Sequence, residues 1–202
     1  MAPRRRPRRR PHRSRPLPKP RILVLCEGQK TEHVYFAALK VEMRLRSVRV
    51  WRPSKVRGLR GLAAAADEVR LDDPGLDEIW CVLDHDGREE EVRKFLVWHE
   101  RACKRRGGPR IEAVISDPCF EYWLLLHFEY TTRPFAKVGG CEQATRLLQK
   151  HANDYRKGDR RFFESLRGLR ETAIENAEKA ERAGPSPRTG VGHLIQRLHE
   201  LA

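Results

Sequence analysis

No stretch of this sequence stays apolar for the roughly 18 residues a helix needs to cross a bilayer. Its longest apolar runs lie around residues 22–26 and 122–126, so no membrane association is expected. The basic amino terminus is not followed by an apolar stretch of signal-peptide length, and no secretory leader is expected. Six prolines within the first 20 residues oppose the amphipathic helix of a mitochondrial transit peptide. The five cysteines (Cys26, Cys81, Cys103, Cys119, Cys141) are odd in number and widely spaced, with no CxxC pair. A disulfide scaffold and a structural zinc site are therefore not expected, and a reduced, cytoplasmic setting is. No repeat recurs at a fixed period. No GxxxxGK(S/T) phosphate-binding loop occurs, which excludes ATP hydrolysis of that type by this chain.

Acids are also missing from residues 1–21, which carry nine Arg and one Lys. The whole chain holds 42 Lys+Arg against 28 Asp+Glu, a net charge of +14 over 202 residues. Ten of those charges belong to the first 21 residues, leaving +4 for the rest. Residues 1–20 have few apolar side chains, repel themselves and are rich in proline, so they read as a disordered basic tail. The tail has three readings: an arm laying Arg4, Arg5, Arg6, Arg8, Arg9 and Arg10 on nucleic-acid phosphates, a ligand for an acidic partner, or an extension of no strong consequence.

Behind the tail, short apolar runs alternate with amphipathic stretches. Residues 22–26 and 78–83 read as strands buried on both faces, and 47–51 and 111–115 as further strands. Helices are expected from Thr31 (as N-cap) to about 45, and over 59–71 and 89–104. Another should run from Asp117-Pro118 to about 127, with proline in its first turn. Beyond it, helical patterns run over 142–155, 161–183 and 191–201. The alternation predicts an α/β fold with a mostly parallel four-stranded sheet flanked by helices. The core spans residues 21–130, and a helical C-terminal extension, 131–202, packs on it.

Such sheets bind ligands at the carboxyl ends of their strands. Three acids stand there: Glu27 after the first strand, and Asp84 and Asp86 after the third. Oxygen donors of this kind suit a hard divalent cation such as Mg2+ or Mn2+, which takes one or two carboxylates, waters and substrate phosphates. Gly28 and Gly87, each following an acid, permit sharp turns. The bland alternative is that Asp84-His85-Asp86-Gly87 is an ordinary turn and helix cap.

Glu27-Gly28 after one strand and Asp84-x-Asp86 after another resemble the Toprim domain of topoisomerases, bacterial primases and nucleases. More specifically, three segments together resemble the RloB-like family: the run from Val24 to Phe36 (VLCEGQKTEHVYF), Asp84-His85-Asp86, and the run from Ser116 to Phe128 (SDPCFEYWLLLHF). The ending Ser186-Pro187-Arg188-Thr189-Gly190-Val191-Gly192-His193-Leu194-Ile195 is similar to that family's ending, where Asn-Pro-Ser-Thr is the usual form. Asp117 stands where the family more often has Asn. The resemblance covers about residues 21–202. It implies a Toprim-like, Mg2+- or Mn2+-dependent nuclease acting on DNA or RNA in a prokaryotic phage-defence, abortive-infection system. Its catalytic and metal-holding acids would be Glu27, Asp84 and Asp86, and a separate ATPase chain is an implied partner. The alternative is a non-catalytic nucleic-acid-binding or ATPase-regulating subunit of the same fold. A phosphoesterase for a small nucleotide would instead need an enclosed pocket. The oligomeric state is not legible.

Three residues stand as accessories. Lys30, near the first helix's start, meets a substrate phosphate or is a solvated lysine. Glu32 lies in that helix's first turn, where the dipole favours it. Glu121 is an acid in an apolar helix, costly unless paired or metal-bound, and is either an accessory site acid or the partner of a nearby Arg. His127 and Trp123 read as structural, and Cys119 as a buried thiol. Arg156, Lys157, Arg160 and Arg161 form a basic set that reaches substrate or is solvated surface.

Overall fold

The computed structural model describes residues 18–28, 30–54 and 58–202. Arg4, Arg5, Arg6, Arg8, Arg9 and Arg10 lie outside the described residues. The apolar runs form parallel strands β1 (Ile22–Cys26), β2 (Val48–Trp51), β3 (Glu78–Asp84) and β4 (Arg110–Asp117). A fifth strand, β5 (Arg188–Thr189), joins antiparallel to β4, and the order is β2-β1-β3-β4-β5. The helices are α1 (Thr31–Glu42), α2 (Gly58–Asp72), α3 (Glu89–Cys103), α4 (Phe120–Leu125), α5 (Gly140–His151), α6 (Arg160–Ser165), α7 (Arg170–Ala183) and α8 (Val191–His199).

Alternation along the strands sorts the core into two layers. Leu23, Leu25, Ile79, Cys81, Leu83 and Ile111 face α2 and α3. Ile22, Val24, Trp80, Val82 and Val114 face the other way, where Phe36, Phe120, Trp123, Ile174, Leu194 and Ile195 complete one continuous core. The sheet is therefore covered on both sides, as a parallel sheet requires. No helix among the described residues is long and apolar enough to cross a membrane.

Four local expectations change. The ending Arg188-Thr189 is a strand, because Thr189 pairs with Ser116 and their hydroxyls bond at 2.8 Å in the interior. The stretch 161–183 is not one helix. A 3-10 turn over Leu166–Leu169 keeps Leu166 in the core and lets Arg170 reach Glu42 of α1 through two hydrogen bonds. The helix expected at Pro118 begins later, at Phe120, where the carboxylate of Asp84 accepts the first free N–H; Cys119 before it is extended. Thr31 is the first helical residue and not the cap. The cap position belongs to Lys30, and Thr31 is buried beside Tyr155.

Candidate acidic active site

The parallel register places the ends of β1 and β3 side by side, with Cys26 opposite Val82 and the Glu27 N–H bonded to the Val82 carbonyl. Glu27 thus leaves β1 at the carboxyl edge of the sheet, and Asp84 closes β3 on the same edge. From there the chain turns into α1, and Glu32 in its first turn folds back over Gly28. A Cβ at position 28 would sit 1.9 Å from Glu32 Oε2, so only glycine leaves room for that carboxylate. α4 starts beside Asp84 and carries Glu121. One cavity of about 220 Å3 is lined by Gly28, Lys30, Thr31, Glu32, Asp84, Phe120, Glu121 and Lys157.

Glu32 is 4 % exposed and Glu121 1 % exposed. Burial, with the charges of Glu121 and Glu27 nearby, pushes Glu32 up to about 7. Burial also lifts Asp84 well above the ordinary carboxylate range, helped by Glu32, Glu121 and Glu27. Both shifts share one cause: the four carboxylates lie close together where solvent access is low. Among the described residues neither Asp84 nor Glu32 forms a salt bridge.

Glu27 and Glu121 do have cations. Arg88, just before α3, donates from Nη1 to Glu27 Oε1 at 2.6 Å and from Nη2 to Oε2 at 3.0 Å. The same Nη2 donates to the Asp84 carbonyl at 2.7 Å, tying the two strand ends together. Glu121 Oε1 accepts from Tyr155 Oη and from Lys157 Nζ, each at 3.0 Å. Burial opposes the Lys157 ammonium, but the charge of Glu121 outweighs it and raises the lysine pKa. Both residues come from the loop between α5 and α6. Gly158, at φ +80°, holds that loop against Lys30, where a Cβ would approach Lys30 Cβ to 3.3 Å.

Of the acids expected to act together, Glu27 and Asp84 are neighbours, and the accessory pair Glu32 and Glu121 joins them. Lys30 lines the same cavity. Asp86 stands elsewhere. It is exposed, at φ +45°, and its Oδ1 accepts from the Cys141 thiol at 3.0 Å at the start of α5. The physical cause is the turn after β3: the N–H groups of His85 and Asp86 bond the Ser116 and Pro118 carbonyls, which rotates Asp86 away from the cavity. His85 Nδ1 lies 3.7 Å from Asp117 Oδ1, so the unusual acid at position 117 faces this turn. Glu121 has a lysine and a tyrosine as partners in place of an arginine. Arg88 and Tyr155 were not anticipated, and Lys157 was singled out only as part of a basic set. The one signal for Arg88 was its position directly after Asp84-His85-Asp86-Gly87.

Oxygen donors facing one cavity have the chemistry for a hard cation, and Glu32, poised near neutral pH, can exchange a proton there. The carboxylates are not drawn around a common point: no group of three metal-ligating side chains is gathered among the described residues. A family model described as RloB-like protein matches residues 22–198, from the first residue of β1 into α8. No curated protein and no solved structure matches. With its strand-end acids, its α4 segment and its β5 ending all inside the matched span, the chain belongs to the RloB-like protein family.

Proposed function

We propose that this protein is a metal-dependent nuclease that hydrolyses phosphodiester bonds of DNA or RNA, in the cytoplasm, as part of a prokaryotic phage-defence system. One observation carries the reading: Glu27, Glu32, Asp84 and Glu121 cluster at the carboxyl edge of the sheet, with Lys30 and Lys157 on the same cavity. The donor set fits Mg2+ or Mn2+ in its chemistry. Asp84 would hold the ion, and Glu27 and Glu121 would join once released from Arg88 and Lys157. A bound divalent ion supplies Lewis-acid polarisation of a phosphoryl oxygen and lowers the pKa of a coordinated water.

The chain's own residues do the rest. Arg88 holds the ends of β1 and β3 at a fixed separation. The Phe120 N–H orients Asp84 from one oxygen, and among the described residues no donor meets the other. Lys30 brings positive charge to the start of α1 and lines the cavity, where it would meet a phosphate. Glu32, held up to about 7, is the group placed to take a proton from an attacking water at neutral pH. Any ATPase partner would be a separate chain, and the basic tail would add phosphate contacts without reading sequence.

The test is incubation of the purified protein with plasmid DNA and with tRNA, with Mg2+ or Mn2+, alongside Asp84→Asn and Glu32→Gln proteins. Metal-dependent cleavage lost in both variants is expected. Cleavage that survives Asp84→Asn would reject the assignment. A second reading, a nucleic-acid-binding or ATPase-regulating subunit without catalysis, is favoured by the two carboxylates already neutralised by Arg88 and Lys157. It predicts binding without cleavage, and an Asp84→Asn protein that binds as the parent does.

A further inference from the structure

Three carboxylates, Glu32, Asp84 and Glu121, line the cavity with Glu27 close by, and two side-chain cations already pair with members of this group. The two cations differ in how they are held. Arg88 makes three hydrogen bonds, to both Glu27 oxygens and to the Asp84 carbonyl, and is largely covered. Lys157 makes one contact, 3.0 Å to Glu121 Oε1, and its side chain is 56 % exposed. Its backbone is pinned, because Gly158 packs directly on Lys30. The lysine can therefore leave the cavity by side-chain rotation alone, whereas Arg88 would have to give up three hydrogen bonds. Glu121, by contrast, cannot follow: it is 1 % exposed on a wholly buried helix. A buried carboxylate deprived of its lysine needs another cation in the same place.

We infer that Lys157 is a resident counter-ion that occupies the acidic cavity when no metal is bound and competes with a divalent cation for Glu121. The inference rests on the proposed reading of this cavity as a metal site. It makes the loop between α5 and α6 part of the metal site, and it accounts for carboxylates that face one cavity without being gathered around one point. The ammonium and the metal compete by charge and by space: Glu121 Oε1 already accepts from Tyr155 and Lys157, so an ion taking that oxygen must displace the ammonium. With an ion on Glu121, the half-exposed Lys157 side chain would turn outward to solvent.

The experiment is Mn2+ binding to the full chain, read by calorimetry or electron paramagnetic resonance at pH 8 and low ionic strength. Lys157→Met should bind Mn2+ about tenfold more tightly than the parent, since a unit charge a few ångströms away is removed. Lys157→Arg should stay within about twofold. In a Glu121→Gln background the Lys157→Met gain should vanish, because the contested oxygen no longer carries charge. Lys157→Gln keeps a donor for Glu121 and should show the same tightening if the methionine protein does not fold. Unchanged or weaker binding in the neutral variants, with the parent still binding Mn2+, overturns the inference and leaves the metal reading intact. A tenfold gain that persists without Glu121 also overturns it, as a general charge effect. Absence of Mn2+ binding in the parent and every variant overturns both.

Discussion

Removing the Glu32 charge should stabilise the metal-free protein at alkaline pH. Glu32 has an ordinary value of 4.5 when unfolded, and burial with neighbouring acids holds it at about 7 when folded. Between those values the folded chain keeps a proton that the unfolded chain has lost. The associated stability is fully present below pH 4.5 and disappears as pH rises through 7. At about 1.4 kcal/mol for each tenfold change, the whole span is worth about 3 kcal/mol. Glutamine cannot titrate, yet it keeps an oxygen for the backbone N–H that Glu32 accepts from. The difference in unfolding free energy, parent minus Glu32→Gln, should therefore fall by about 3 kcal/mol from pH 4.5 to pH 8.

His127 hides this effect in the parent. Burial lowers it from 6.5 to about 4, so its contribution is lost as pH falls through that window, also by about 3 kcal/mol. The two slopes oppose one another from pH 4.5 to 6.5, and Asp84, also lifted by burial, adds to the Glu32 side. The histidine slope is common to parent and Glu32→Gln and cancels in their difference. Urea unfolding followed by tryptophan fluorescence in chelator, at half-unit steps of pH, measures both. A parent-minus-variant difference that does not change with pH would refute the reasoning.

Gly28→Ala should act through Glu32: the added Cβ, 1.9 Å from the carboxylate, turns the side chain out toward water, and the pH-dependent difference should shrink to near zero in the same titration. Arg197→Met should destabilise by about 2 kcal/mol at pH 7, because Glu78 is buried and loses its guanidinium partner while keeping only Trp80. Burial opposes the Glu78 charge, but Arg197 and Trp80 outweigh it and lower its pKa, so this loss should fade as pH falls below 4.5. Thermal melting at pH 7 and pH 3 distinguishes that outcome from a pH-independent packing defect.

The sheet was legible because each parallel strand is a short apolar run ending in a polar break, as at Cys26-Glu27-Gly28 and Leu83-Asp84. The edge rule then located Glu27 and Asp84 without a structure. β5 was not legible: two residues, one of them Arg188, carry no periodicity, and their pairing comes from Ser116, 73 positions away. Asp86 shows the limit of spacing arguments, since a two-residue interval fixes a shared side only while the backbone stays extended, and the residue sits at φ +45°. The counter-ions were illegible for a different reason. Arg88 meets Glu27 across 61 positions, and Tyr155 meets Glu121 across 34, distances at which a sequence shows composition but not contact.

Tyr155 and Lys157 have a bearing on how the chain is made. Synthesis delivers β1, β3 and α4 first, and with them every carboxylate of the cavity. The residues that neutralise Glu121 follow more than 30 positions later, and β5 and α8, which close the edge of β4 and cover the sheet, come last. Until then a newly made amino-terminal portion has an uncovered apolar face and an uncompensated buried acid. Those conditions favour waiting over folding. The acidic cavity is thus a late event in the life of the polypeptide, completed only after the segment carrying Tyr155 and Lys157 has been made. A prematurely ended product would lack the cavity in its finished form.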